Sequence, residues 1–228
     1  MSVRHALVIG AGGGVGRATV DALTAAGVRV LACGHERDAT DPAQVTALLA
    51  EADPDLVVVA AGTRPRMAPI EEQSWESFSA PWNVDVRIAF EVGRAALARP
   101  LRAGSTVVIV SSGAGLGGSP LSGGYAGAKR MQMFLADYLQ SAADARGLGI
   151  RFLALVPRQL LVGTAIGEAA AAAYGAATGQ SAEAYLKEHY PVPLGPAGVA
   201  RAVLAIASGE EHRRKSLLAV TGRGVEAI

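Results

Sequence analysis

The stretch VRHALVIGAGGGVG, residues 3–16, decides the fold, because an apolar run leads directly into a glycine-rich loop. Val3 to Ile9 is predicted to form a buried strand, and Val15 to Ala26 a helix. A turn this tight needs residues that tolerate a positive φ, as glycine does. Bare backbone also lets a phosphate group reach the helix N-terminus, where free N–H groups and the helix dipole favour anions. The order of strand, loop and helix therefore favours dinucleotide binding over a glycine turn without a ligand.

Apolar runs and helical segments alternate along the rest of the chain. Further strands are predicted at Val28–Cys33, Leu56–Ala60, Thr106–Ser111, Ile150–Val156 and Leu217–Thr221. Helices are predicted at Ala43–Ala52, Ser74–Arg99, Gly124–Arg146 and Pro196–Ser208. Strands that are apolar on both faces indicate an α/β fold, in which helices cover both sides of a parallel sheet. We expect a single domain, 1–228, with a helical lid over about 158–193, where the alternation is interrupted.

Composition excludes several classes of protein. The 228 residues carry 21 Lys plus Arg against 20 Asp plus Glu, so nothing indicates nucleic acid or a membrane surface as a partner. The single cysteine, Cys33, can form neither an internal disulfide nor a cysteine metal cluster, which fits a reducing cytoplasm and no metal site. No window holds the ~20 apolar residues of a membrane span, and the N-terminus lacks the apolar core of a signal peptide. We therefore expect a cytoplasmic protein without membrane segments.

The glycine spacing narrows the class further. Gly10, Gly14 and Gly16 resemble the pattern of the short-chain dehydrogenase/reductase family, and differ from the G-x-G-x-x-G of longer dehydrogenases. The segment YAGAK, residues 125–129, resembles the Y-x-x-x-K of that family. The resemblance implies a Rossmann-type doubly wound parallel sheet in three layers. It also implies an NAD(P)-dependent oxidoreductase that interconverts a ketone and a secondary alcohol.

Four side chains carry the predicted chemistry. Tyr125 and Lys129 lie four apart, hence on one face of a helix, where an ammonium lowers the pKa of a phenol from about 10. Ser112 lies thirteen residues before Tyr125, which is the spacing in the family, and Ser111 is the competing choice. The resemblance makes Tyr125 the acid or base, Ser112 the group that orients the carbonyl, and Lys129 the partner of the tyrosine and the ribose. Asn83, in WNVD at residues 82–85, resembles the helix asparagine that supports proton relay.

The resemblance also implies the residues that contact the cofactor. They are Gly10, Gly14, Val15, Gly16, Gly34, His35, Asp38, Ala39, Ala61, Gly62, Tyr125, Lys129, Pro157 and Thr164.

The end of the second strand bears on which cofactor binds. NAD-specific relatives carry an acid there, which binds the adenine ribose. That position is Gly34, and His35 and Arg37 can contact a 2′-phosphate, so NADP(H) is favoured over NAD(H). Glu36 can instead serve the ribose and restore NAD(H). Arg17 adds slight support for NADP(H).

Three departures from the family pattern are visible. Only Gly34 to Arg37 separate the second strand from Asp38, where relatives usually fit a helix and a strand, so the second strand is predicted to be an edge of the sheet. AAG at residues 60–62 replaces the usual Asn-Asn-Ala-Gly. Pro157-Arg158 replaces Pro-Gly beside the nicotinamide, and Arg158 can reach an anionic substrate or point to solvent.

The expected partners follow from the surface and the lid. A lid with Tyr174, Tyr185 and Tyr190 suits a medium-sized ketone or alcohol, although the rings can equally pack the lid itself. Relatives assemble as dimers or tetramers through the two long helices, so a homodimer or homotetramer is expected. Arg64, Arg66 and Lys129-Arg130 leave contact with an acyl-carrier protein as a minor possibility. A nucleotide sensor without redox chemistry, or an epimerase or dehydratase of the same fold, stays open as an alternative.

Overall fold

The structure is a computed structural model that describes residues 3–209 and 215–228. Met1, Ser2 and residues 210–214 of the predicted domain 1–228 lie outside the described residues. Seven strands are described: β1 (His5–Ile9), β2 (Arg29–Cys33), β3 (Leu56–Val59), β4 (Thr106–Val110), β5 (Arg151–Pro157), β6 (Leu217–Thr221) and β7 (Gly224–Ala227). The first six match the predicted strands to within about two residues.

The strands form one sheet in the order β2-β1-β3-β4-β5-β6-β7. The pairs from β2 to β6 are parallel, which confirms the predicted doubly wound sheet. β7 runs antiparallel to β6 and was not predicted, because GVEA is short and half exposed. β2 is an edge strand, as predicted, because residues 34–41 lead directly into a helix that returns to β3.

Nine helices are described, and they cover both faces of the sheet. They are α1 (Gly14–Ala25), α2 (Pro42–Ala52), α3 (Trp75–Pro81), α4 (Arg87–Ala98), α5 (Ala114–Gly117), α6 (Tyr125–Ala145), α7 (Ala165–Ala177), α8 (Ala182–His189) and α9 (Pro196–Ser208). On one face, β1, β3, β4 and β5 pack against α2, α4 and α6. On the other face they pack against α1 and α9. Central strands buried on both faces explain why their sequences are continuously apolar.

The long helix predicted at Ser74–Arg99 is interrupted. The Ser74 side chain caps α3 by accepting a hydrogen bond from the Ser77 amide. Pro81 ends α3, and a wide π-type turn, Trp82–Val86, joins it to α4. Proline has no N–H to continue the helical ladder, and π turns of this kind often mark functional sites. The turn changes which side chains of this segment face the sheet.

The lid predicted at residues 158–193 is helical, as expected. α7 and α8 form a pair whose aromatic rings stack, with Tyr174 against Tyr185 at 5.9 Å and Tyr185 against His189 at 4.1 Å between ring centroids. The hydroxyl of Tyr174 is hydrogen-bonded to that of Ser119, in the loop before α6. The lid is thereby tied to the loop that leads to Tyr125. None of the helices in the described residues is both long and apolar enough to cross a bilayer.

Candidate functional site

A large cavity lies at the carboxyl ends of the strands, which is where ligands bind in open α/β sheets. Its volume is about 1020 Å³. It is lined by the glycine loop after β1, by Gly34, His35 and residues 37–40 after β2, by the ends of β3, β4 and β5, and by the lid. Within the described residues, no group of three or more His, Cys, Asp or Glu side chains is placed to hold a metal ion.

The glycine loop forms a cradle of bare backbone. A Cβ at Gly10 would lie 2.4 Å from the Ala61 nitrogen, and a Cβ at Gly16 would lie 2.0 Å from the Gly10 carbonyl oxygen. The loop backbone therefore packs closely against the end of β3 and the start of α1, with no room for a side chain at either glycine. A Cβ at Gly13, by contrast, would have no neighbour within 4 Å. The open side of the loop, at the N-terminus of α1, therefore fits a pyrophosphate group.

The structure shows the partners of Glu36 and Arg37, two charged residues after β2, which the sequence alone does not determine. The Gly34 amide donates a 2.7 Å hydrogen bond to Glu36 Oε1, and Glu36 Oε2 lies 2.6 Å from the place a Gly34 Cβ would occupy. The amides of Gly34 and of Glu36 itself lower the pKa of this carboxyl. Arg37 is paired with Glu51 at 2.6 Å. A carboxylate thus stands where a side chain of residue 34 would project.

The neighbouring residues complete this end of the cavity. The His35 ring lies over Gly12, since a Cβ there would be 3.8 Å from His35 Cδ2. Asp38 accepts hydrogen bonds from the amide and hydroxyl of Thr40, which lower its pKa. Asp38 and the buried Ala39 line the cavity together.

The two serines after β4 differ in their partners. The Ser111 hydroxyl is buried and donates a 2.8 Å hydrogen bond to the Lys129 carbonyl, so it anchors α6 to the sheet. The Ser112 hydroxyl accepts a hydrogen bond from the Ala114 amide at 3.2 Å and lines the cavity. Its own proton is therefore available to a ligand. This difference favours Ser112 over Ser111 as a ligand-binding group.

Tyr125 and Lys129 project from the first turns of α6 into the same cavity. Tyr125 is half-buried, and Lys129 Nζ lies 5.4 Å from the centroid of its ring. The ammonium is buried and contacts Asp85 Oδ2 at 3.2 Å and Gln132 Oε1 at 3.1 Å. Burial alone would lower the pKa of Lys129, but Asp85 and Tyr125 outweigh it, and the pKa of the lysine is raised.

Comparison with known proteins agrees with this arrangement. A family model described as RmlD substrate binding domain matches residues 4–97. An uncharacterized short-chain type dehydrogenase/reductase of Sinorhizobium fredii is 28% identical over 184 residues, covering 72% of this chain and 73% of that protein. The chain is therefore similar to a short-chain type dehydrogenase/reductase over about three quarters of its length.

Solved structures share the fold. Sorbitol-6-phosphate 2-dehydrogenase from Erwinia amylovora is 24% identical, with a TM-score of 0.80 over 95% of this chain and 98% of that one. A variant of actinorhodin polyketide ketoreductase, solved with NADPH, is 19% identical, with a TM-score of 0.80 over 97% and 98%. A 3-ketoacyl-(acyl-carrier-protein) reductase from Brucella melitensis, complexed with NADH, is 19% identical, with a TM-score of 0.75 over 96% and 97%.

Asn83, one of the residues predicted for this site, lies outside the cavity. Asn83 is exposed, donates a 3.4 Å hydrogen bond to Ser79 Oγ, and lines a separate hollow with Trp75 and Trp82. Its side chain therefore lies outside the cavity that Tyr125 and Lys129 line, and the role of its backbone carbonyl in proton relay stays a prediction. The π-type turn brings Asp85 to Lys129, while Asn83 faces away from the lysine.

Two residues after β5, Arg158 and Thr164, line the cavity and also form contacts with other groups of the protein. The Thr164 hydroxyl caps α7 by accepting from the Gly167 amide, and it donates to the Leu161 carbonyl at 2.9 Å. Its methyl group lies 3.5 Å from the place a Gly14 Cβ would occupy, so Thr164 does lie against the glycine loop. Arg158 lines the cavity after Pro157 but pairs with Glu226 of β7 at 3.0 Å.

The polar residues that surround Lys129 are not among those that the sequence motifs indicate. Asp85 accepts hydrogen bonds from the Thr63 amide and hydroxyl, and Gln132 donates to the Asp85 carbonyl. Two signals were present: Asp85 lies between two valines, and Gln132 lies one helical turn after Lys129. An acid or amide among apolar neighbours usually has a buried partner.

Proposed function

We propose that this protein is a short-chain dehydrogenase/reductase that interconverts a ketone and a secondary alcohol with a nicotinamide dinucleotide as its cofactor. One observation carries the proposal: Ser112, Tyr125 and Lys129 line the same cavity as the bare backbone of the glycine loop. A protein that binds a nucleotide without catalysing a reaction needs only the glycine loop. A hydroxyl, a phenol and an ammonium in one cavity meet the requirements of proton transfer to a carbonyl oxygen.

Each side chain has a distinct role in the proposed reaction. A bound nicotinamide supplies or accepts the hydride at the carbonyl carbon. Ser112 donates a hydrogen bond to the substrate oxygen, keeps its proton, and holds that oxygen near the phenol. Tyr125 gives its proton to that oxygen in reduction and takes one from it in oxidation. Lys129 favours the ionised phenol through its positive charge. The glycine loop and the start of α1 hold the pyrophosphate.

The preferred cofactor follows from the segment after β2. The sequence favours NADP(H), since Gly34 carries no acid. Two contacts support NAD(H) instead: the Glu36 carboxylate lies beside Gly34 with Oε2 free of the Gly34 amide, and Arg37 is paired with Glu51. A carboxylate there accepts a hydrogen bond from a ribose hydroxyl and repels a 2′-phosphate. We therefore propose NAD(H) as the better ligand.

The oligomeric state and the cellular location of the protein are also proposals. Phe90 on α4 and Phe134 and Tyr138 on α6 are exposed, and the last two rings stack on each other at 5.8 Å. Exposed aromatic residues on adjacent helices are typical of interaction surfaces. We propose that this face joins two copies in a homodimer or homotetramer. The reduced, buried Cys33 supports a cytoplasmic setting for one domain that spans residues 1–228.

The decisive experiment combines binding and turnover. Calorimetric titration with NADH and NADPH, followed by a ketone panel, should give binding of NADH and consumption of cofactor with a ketone. Tyr125→Phe should retain cofactor binding and lose roughly 10²-fold or more in turnover, the usual scale of acid–base catalysis. Tyr138→Phe, which removes a hydroxyl from the exposed face of the same helix, is the control. Absence of binding by both cofactors, or normal turnover in Tyr125→Phe, would overturn the proposal.

A further inference from the structure

We propose that Asp85 is a positioning residue that holds the Lys129 ammonium inside the pocket and sets the pH range in which the Tyr125–Lys129 pair works. The inference rests on the proposed function of that pair. Asp85 was not among the residues that the family motifs indicate. The group beside the lysine is a carboxylate, whereas the side chain of Asn83, the residue that the motif indicates, lies outside the cavity.

The Asp85 carboxylate is held rigidly. It is fully buried, and its Oδ1 accepts hydrogen bonds from the Thr63 amide at 2.7 Å and the Thr63 hydroxyl at 2.9 Å. Its Oδ2 lies 3.2 Å from Lys129 Nζ and has no hydrogen-bond partner besides the ammonium within residues 3–209 and 215–228. A buried carboxylate with one oxygen reserved for an ammonium is the arrangement expected of a built counter-ion.

The ammonium is fully engaged by protein groups. An ammonium has three N–H donors. Lys129 Nζ has three acceptors around it: Asp85 Oδ2, Gln132 Oε1 at 3.1 Å and the Val110 carbonyl at 3.4 Å. Gln132 is itself fixed, since its amide donates to the Asp85 carbonyl at 3.0 Å. Asp85 and Gln132 thus form a closed frame around the lysine.

Asp85 is the acid in direct contact with the ammonium. Asp85 and Tyr125 are the titratable groups that act on Lys129. Other titratable groups line the same cavity: His35, Arg37 and Asp38 after β2, Arg64 after β3, Arg158 after β5, and Tyr174, Tyr185 and Tyr190 of the lid. Arg158 is compensated by Glu226. Asp85 therefore provides the negative charge that balances Lys129.

The sign of the effect follows from this balance. Tyr125 and Lys129 lie together in one pocket, where a nearby negative charge opposes the loss of a proton from either group. Reduction needs the fully protonated pair, and oxidation needs the pair one proton short. A neutral residue at position 85 therefore moves the alkaline limit of reduction and the acid limit of oxidation to lower pH. One full charge at pocket distances corresponds to a shift of about one pH unit.

The test compares pH profiles of kcat and kcat/KM for the wild type, Asp85→Asn and Asp85→Ser. Both variants are expected to shift their limits to lower pH by about one unit, with the fold checked by circular dichroism. The second variant leaves room for water beside Lys129 if the amide packs poorly. Glu91→Gln is the matched control, because it neutralises a buried acid that pairs with Arg94 outside the cavity. Unshifted profiles in folded Asp85 variants, or a shift to higher pH, would overturn the proposal.

A second readout separates this inference from the proposed function. Tyrosinate absorbance can be followed in the protein without any substrate, and subtraction of the Tyr125→Phe titration isolates Tyr125. Tyr185 and Tyr190 do not interfere at the lower end, because burial raises the pKa of both. The Tyr125 step should move to lower pH in Asp85→Asn. Absence of turnover with every ketone would count against the proposed function alone, while an unmoved Tyr125 step would count against the role of Asp85.

Discussion

Replacing Gly16 by alanine is predicted to destabilise the protein at the junction of β1, the glycine loop and α1. The new Cβ would lie 2.0 Å from the Gly10 carbonyl oxygen, 2.6 Å from the Gly10 carbonyl carbon and 3.1 Å from Ala11 Cα. These neighbours are backbone atoms and cannot rotate away as a side chain can. Gly10 in turn packs against Ala61, so displacing the loop also disturbs the end of β3.

The magnitude follows from the depth of this overlap. Overpacking a well-packed site costs ~1–3 kcal/mol, and a clash with backbone on every side places Gly16→Ala at the upper end, about 3 kcal/mol. For a chain of this length, ~2–4 °C is lost per kcal/mol, so the melting temperature should fall by about 6–12 °C. Cofactor affinity should fall as well, because α1 must move away from the loop that binds the pyrophosphate.

Thermal and urea unfolding followed by circular dichroism, with calorimetric cofactor titration, measure both effects. Gly12→Ala is the matched control in the same loop, since its Cβ would meet only the His35 ring at 3.8 Å. The control should stay within about 0.5 kcal/mol of the wild type. A Gly16→Ala protein with the same melting temperature as Gly12→Ala would refute the argument.

Three further outcomes are expected. Glu36→Gln should raise the affinity for NADPH relative to NADH severalfold, since like charges no longer face each other at the ribose; calorimetry measures the ratio, and an unchanged ratio speaks against the role of Glu36. Asp55→Asn should flatten the loss of stability in acid. Burial opposes the ionised Asp55, but its hydrogen bonds outweigh burial and lower the pKa of the carboxyl. The stability from Asp55 is therefore present above about pH 4 and lost as pH falls through the lowered pKa, so parallel acid curves for variant and wild type would contradict this. Phe134→Glu should give monomers in light scattering, whereas an unchanged assembly would place the interface elsewhere.

The sequence predicted the elements whose local pattern and tertiary role agree. The central strands are buried on both faces, so their apolar runs were sufficient to locate them. Asp41 and Pro42 marked the start of α2 because capping is a local interaction, and Asp41 does accept from the Ala43 amide at 2.7 Å. The edge position of β2 followed from the short connection to α2.

The interior of the site was less predictable, because it depends on how one helix is wound. A continuous helix from Ser74 would present Asn83 according to regular spacing, whereas the wide turn after Pro81 presents Asp85 to Lys129. Regular helical spacing does not predict this wide turn. The Glu36 carboxylate beside Gly34 likewise depends on a bend of the backbone. Motif spacing identified the lysine, and only the packing identified its counter-ion.

The edge position of β2 exposes the sheet to unwanted pairing. Among the described strands, β2 pairs only with β1, so the N–H and C=O groups on its outer side have no strand partner. Such a free edge can add a strand from another molecule, which is a route to aggregation. β2 is five residues long and begins at the exposed Arg29, and both brevity and charge disfavour strand addition. The charge of Arg29 thus disfavours strand addition at the sheet edge that β2 forms.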